Sequence, residues 1–208
     1  MPRIVASHGL GDSAATWNAV ARYLGAEGVD VDTWDLSGHG EAAAPDLPYG
    51  VDVALGQLRD VIAAGSVPVV LMGHSFGGYL SLRYVLAHPD QVAGLVLVAT
   101  GPGFRSDEKR AAWNRYLDKA AARMDIAPGV EEVARQYDSI VIDGLSSITV
   151  PTLVISGDRD TRFHAGGDHL AARIPGARHD LIRDAGHHPH VDAPAEVGRR
   201  VTALIDPL

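Results

Sequence analysis

Two rhythms of apolar and polar positions alternate along this chain. Short apolar runs rich in Val, Ile and Leu are each followed by a Gly-containing turn and then by a longer stretch of helical period. The runs predict strands at about Arg3–Ser7, Val29–Asp35, Val67–Met72, Leu95–Ala99, Thr152–Ser156 and Arg178–Ile182. The periodic stretches predict helices at about Ala14–Gly25, Val51–Ala64, Phe76–His88, Phe163–Ile174 and Ala193–Ile205. A strand with no polar face has to be covered on both sides. The pattern therefore predicts an α/β protein with a mostly parallel sheet of about six strands and helices on both faces. Sheets of this kind bind ligands at the carboxyl ends of their strands.

One stretch leaves the alternation. Between Thr100 and Val150 there is no clear strand, only "DEKRAAWNRYLDKAAARM" and "GVEEVARQYDSIVIDGL", which predict two helices. Inserted after a strand end, at about residues 101–150, they would form a small lid over the site. No linker composition, internal repeat or low-complexity segment divides the 208 residues, so a single domain spanning 1–208 is expected.

Composition acts mainly by exclusion. The formal net charge of -8 disfavours a nucleic-acid backbone or an anionic membrane as partner. The absence of cysteine removes disulfides, thiolate nucleophiles and Cys-ligated zinc. No apolar run approaches the roughly 20 residues that span a bilayer. The opening "MPRIVASHGL" lacks the charged and then long apolar regions of a signal peptide, so a cytoplasmic protein is expected.

The chemistry begins at "VVLMGHSFGGYLSLRYVLAHP", Val69 to Pro89, where an apolar run passes through Gly73-His74-Ser75-Phe76-Gly77 into a helical pattern. In a G-x-S-x-G corner between strand and helix, the central residue takes a strained backbone and its neighbours two positions away must be small. The serine hydroxyl then stands alone, and the first turn of the helix points its N–H groups at developing negative charge. A phosphate loop would place a Lys-Ser/Thr pair after its glycines; here Gly77-Gly78 is followed by Tyr79. Ser75 is therefore the candidate nucleophile.

A serine needs a base and an oxyanion hole. "SHGLGDS", Ser7 to Ser13, ends the first predicted strand, where the Leu10 N–H could join that of Phe76. "DAGHHPHVDAPAEV" offers His187, His188 and His190 after the last predicted strand. His187, behind the small pair Ala185-Gly186, is preferred as base, with the other two as competitors. "TLVISGDRDTRF" offers Asp158 and Asp160 to orient that histidine. Asp158, next to Gly157, suits a turn, and Asp160 lies far enough into the loop to reach across. The ten histidines also raise a metal reading, with Asp158, His164, His169 and the His187–His190 group as ligands, but zinc-binding helical spacing is lacking. Neither a metal nor an organic cofactor is expected. Phe104, Trp113, Tyr116 and Tyr137 in the lid are candidates to line a substrate pocket, or equally to anchor the lid on the core.

Over nearly its whole length the sequence resembles the α/β-hydrolase fold family. Ser75, Asp160 and His187 follow the family's chain order of nucleophile, acid and base. "HGLG" resembles the oxyanion loop, and "DLSGHGE", Asp35 to Glu41, resembles the D-x-x-G-H-G turn, whose Asp35 and His39 are structural in most relatives. "PTLVISGDRD" resembles the proline-strand-G-x-x-D pattern and selects Asp160; "AGHHPHVDAPAEV" resembles the closing A-G-H…P-x-x-V motif and selects His187. Two departures stand out: the chain starts at the strand carrying the oxyanion loop, and the lid is short. Both imply a minimal member with an open pocket. The resemblance implies a serine hydrolase acting on a small acyl substrate, most simply a carboxylic ester. The same fold also serves carbon–carbon hydrolases, lyases and ligand receptors.

Overall fold

Six strands, β1 (Ile4–Ser7), β2 (Val31–Trp34), β3 (Val69–His74), β4 (Val92–Val98), β5 (Thr152–Gly157) and β6 (Arg178–Ile182), form one sheet. Every neighbouring pair is parallel, in the order β2-β1-β3-β4-β5-β6. The computed structural model describes residues 2–42 and 48–208. The predicted strands all occur, with β2 shorter than its apolar run, β3 extended to His74 and β4 beginning at Val92.

Alternate residues of each strand feed two separate cores, as the period of two requires. On one face Val5, Leu71, Leu95 and Leu97 pack with α2 (Val51–Ala63), α3 (Phe76–Ala87) and α6 (Thr161–Arg173) through Leu58, Leu80 and Leu170. On the other, Ile4, Ala6, Val70, Met72 and Val96 pack with α1 (Asn18–Ala26) and the helix Pro194–Ile205 through Leu24, Val197 and Val201. β3 is buried along its whole length.

The strand order fixes where a site can form. The chain runs from β1 outward to β2, then returns to place β3 on the other side of β1. The loops after β1 and β3 consequently diverge, and a crevice opens between them at the strands' carboxyl ends.

The 101–150 segment is only half of what its pattern predicts. Its first part is a helix, α4 (Asp107–Ala121), begun by Ser106, whose hydroxyl accepts the Lys109 N–H (3.3 Å), with Asp107 and Glu108 in the first turn. The second part, expected as one helix, breaks up. Left-handed Gly129 leads into a 3₁₀ turn, Val130–Ala134, then extended Arg135, a five-residue helix α5 (Ile140–Gly144) and another 3₁₀ turn, Leu145–Ser147. Bonds from α4 take the backbone groups a helix would have used. Trp113 Nε1 donates to the Ala134 carbonyl (2.9 Å), and Asn114 pairs with both backbone polar groups of Gln136 (2.9 and 3.1 Å). Tertiary bonding here overrides local propensity.

Candidate active site

The corner after β3 is held in a conformation that only a surrounding framework can sustain. Ser75 has φ 49 and ψ -113, a strained backbone for a non-glycine residue that costs on the order of 1–3 kcal/mol. Its N–H donates to the Val98 carbonyl (2.8 Å), and its carbonyl accepts the Thr100 hydroxyl (2.7 Å). The flanking glycines are required by contact. A Cβ on Gly73 would lie 2.5 Å from the Gly78 nitrogen, and one on Gly77 would strike the Ser7 carbonyl and lie 2.7 Å from that of His8.

The hydroxyl raised by this corner faces an imidazole. Ser75 Oγ lies 3.2 Å from His187 Nε2, and His187 Nδ1 lies 2.7 Å from Asp160 Oδ2. The carboxylate can only accept, so Nδ1 carries the ring proton and Nε2 presents its lone pair to the serine. Asp160 stands just before α6 with its side chain 8% exposed and turned to His187, whereas Asp158 is exposed and spends its N–H on the Ile182 carbonyl. The His187 side chain, 32% exposed, stacks on Phe163 with ring centres 4.5 Å apart. Its loop is fixed by the Arg159 N–H on the Ala185 carbonyl (3.0 Å) and by the Gly186 N–H on Asp192 (2.8 Å).

Leu10 follows β1, Phe76 opens α3, and both line the cavity that contains Ser75. Among the described residues neither backbone N–H is taken by an acceptor of the chain. The loop carrying Leu10 is anchored beneath by His8, whose Nε2 accepts the Leu36 N–H (3.0 Å) while Nδ1 donates to the Gly9 carbonyl (2.8 Å). Burial lowers the His8 pKa to about 4, keeping the ring neutral for both bonds. Asp35 holds the same region by accepting the N–H groups of Ala14 (2.6 Å) and Glu41 (3.0 Å).

The sequence reading missed a second cluster. His74 Nε2 donates to the His187 carbonyl (2.9 Å), its Nδ1 lies 3.1 Å from Asp12 Oδ2, and His188 Nε2 approaches both Asp12 oxygens (3.2 and 3.3 Å). Burial works against ionising Asp12, but the bonds from His188 and His74 outweigh it and hold the carboxyl well below its usual range. The bond to Asp12 in turn raises the pKa of His188, and burial lowers that of His74. His190 is fully buried between Trp17 and His74 with both ring nitrogens unpartnered, and burial pushes its pKa down to about 2. The signals were present in "SHGLGDS" and in the x of G-H-S, but only the fold joins them.

Ser75 opens into a cavity of about 1300 Å³ lined by both strand-end loops and the lid. Phe104, Trp113 and Tyr116 are on its wall, and the Arg162 guanidinium sits 4.3 Å from the Tyr116 ring centre. Tyr137 is a correction. It is 67% exposed, its hydroxyl bonds to Glu132 (2.9 Å), and it lies outside the cavity lining because the broken second lid helix turns it to solvent. The metal candidates Asp158, His164 and His169 are not gathered into a ligand set; among the described residues, the group with that geometry is Asp12, His74 and His188.

A six-stranded parallel sheet between two helical layers, with a serine corner after the third strand and an acid and a histidine after the fifth and sixth, defines the α/β-hydrolase class. The chain belongs to the family described as serine aminopeptidase, S33, whose profile covers residues 2–143, and by that family it is a hydrolase. The covered span includes Ser75, Leu10 and Phe76 and stops short of Asp160 and His187. A pimeloyl-[acyl-carrier protein] methyl ester esterase of Aromatoleum aromaticum is 27% identical, with 94% of each chain covered. The lipase LipV of Mycobacterium tuberculosis is 33% identical over 61% of this chain and 50% of its own. An esterase structure from Exiguobacterium antarcticum superposes with a TM-score of 0.84 at 20% identity, covering 99% of this chain and 92% of the esterase, a likeness of fold. No helix among the described residues is long and apolar enough to cross a membrane.

Proposed function

We propose that this protein is a serine hydrolase that cleaves a small carboxylic ester, or a related acyl bond, through an acyl-enzyme on Ser75. The observation that carries the reading is the unbroken chain from Ser75 Oγ to His187 (3.2 Å) and on to Asp160 (2.7 Å), set on a strained corner inside a large cavity. Ser75 Oγ bonds to the acyl carbon as its proton passes to His187 Nε2. The carbonyl oxygen takes the negative charge and is received by the Leu10 and Phe76 N–H groups. Asp160 steadies the imidazolium and holds the ring in the tautomer that accepts from serine. The intermediate collapses, the carbon–oxygen bond to the leaving alcohol breaks, and Nε2 returns its proton to that alcohol. Water then repeats the sequence on the acyl-enzyme, releasing the acid and restoring Ser75.

The two relatives named as an esterase and a lipase support the ester class. Apolar walls that include Phe104, Trp113 and Tyr116 suit an acyl chain, so a small-molecule acyl substrate is the proposed partner. The test is a p-nitrophenyl ester series from acetate to octanoate alongside a fluorophosphonate probe. Wild type is expected to turn over the esters and take one probe per chain, and Ser75→Ala to lose both. Turnover surviving in Ser75→Ala, or ligand binding by wild type with no turnover, would overturn the reading.

A further inference from the structure

Asp12, His74 and His188 come from the loop after β1, the end of β3 and the histidine loop after β6, and they converge beside the proposed triad. The His187 carbonyl can only accept, so His74 Nε2 carries a hydrogen, and Nδ1 is the ring nitrogen turned to Asp12 Oδ2, at 3.1 Å.

Two imidazole nitrogens and one carboxylate oxygen have their ligand atoms all within 4.8 Å of one another. Asp12 Oδ2 lies 3.1 Å from His74 Nδ1 and 3.2 Å from His188 Nε2. An ion bound tetrahedrally at zinc distances of about 2.0–2.1 Å has ligands about 3.3 Å apart, so these two edges lie within tenths of an ångström of what it needs, and the edge between the two imidazoles, within 4.8 Å, would have to close onto it. His74 also meets a requirement on the ring nitrogen that does not bind: a metal-bound histidine nearly always donates its other N–H to a carbonyl or carboxylate, and here the His187 carbonyl accepts it. All three residues line the cavity, which leaves a fourth position open to water.

We infer that Asp12, His74 and His188 form a binding site for one borderline divalent transition-metal ion, of which zinc is the representative. Imidazole with carboxylate selects this class over calcium or magnesium, which favour all-oxygen shells. The site is separate from the chemistry proposed for Ser75 and does not depend on that reading. An ion there ties together three loops that already meet through hydrogen bonds and ring contacts, so its binding stabilises the folded chain by mass action.

The experiment is a zinc titration of the whole, chelator-stripped protein in competition with a chromophoric chelator, with thermal melts at each zinc level. One equivalent is expected to bind saturably and raise the melting temperature. Asp12→Asn and His188→Gln should each weaken binding at least tenfold, whereas His187→Gln, which removes the neighbouring imidazole, should bind as wild type does. His188 is part-exposed, so its variant is expected to fold, and circular dichroism checks this. Cobalt in place of zinc should give the intense visible bands of four-coordinate geometry. Absence of saturable binding to wild type, full affinity in folded His188→Gln, or binding lost only in His187→Gln would overturn the inference.

Discussion

Acidification should destabilise this protein before its carboxylates titrate, because several of its histidines are buried neutral. His8 has a pKa of about 4 and His190 of about 2, against about 6.5 for an exposed histidine. In the unfolded chain both rings take up protons as pH falls through 6.5, while in the folded chain they do not. The stability they contribute is complete above pH 6.5 and is lost as pH falls toward the folded values. Between pH 7 and 5 each ring therefore costs about 2 kcal/mol, or about 4 kcal/mol together, out of a typical total of about 5–15 kcal/mol. His39 and His74 shift in the same direction through burial. His188, raised by Asp12, has the opposite sign and offsets part of the loss. Urea unfolding followed by circular dichroism at pH 7 and 5 measures the difference. His190→Phe keeps a ring against Trp17 and removes both unpartnered nitrogens, so it should cut the pH-dependent loss by about 2 kcal/mol. Equal stability at the two pH values, or a His190→Phe protein that loses as much as wild type, would refute the reasoning.

Three further outcomes follow from the same geometry. Gly77→Ala forces a Cβ against the Ser7 and His8 carbonyls, and a cost of about 3 kcal/mol should lower the melting temperature by roughly 6–12 °C in a calorimetric scan. Asp160→Asn keeps the shape but holds His187 in the wrong tautomer, so kcat for a p-nitrophenyl ester should fall on the order of 10³–10⁴-fold with little change in stability. Phe104→Ala, on the cavity wall, should raise KM for the octanoate ester about tenfold more than for the acetate, whereas Tyr137→Phe should leave both within about twofold.

What could be read in advance was whatever the backbone dictates locally. Gly73 is forced by Gly77 and Gly78 within the same corner and Gly77 by the Ser7 and His8 carbonyls at the end of β1, yet the corner itself is written in five consecutive letters. The inner strands β1, β3, β4 and β5 were legible because burial on both faces makes them largely apolar, whereas the edge strands β2 and β6 are mixed in polarity and partly exposed. The second half of the lid was not legible, since Asn114 and Trp113 on a different element decide its backbone. Tyr137 was misplaced for the same reason: without a regular helix, an aromatic residue's facing cannot be counted from its spacing. The Asp12–His74–His188 cluster joins positions up to 176 residues apart, and no periodicity encodes such a meeting.

Whether Ser75 carries the acyl group is decided by mixing wild-type protein with a slowly hydrolysed p-nitrophenyl ester, quenching in acid within one turnover and mapping the peptides by mass spectrometry. The acyl mass is expected on the peptide containing Ser75, appearing as fast as the first burst of nitrophenol and absent in His187→Gln. Steady turnover with no acyl mass on that peptide, or with the mass on a different residue, would contradict it.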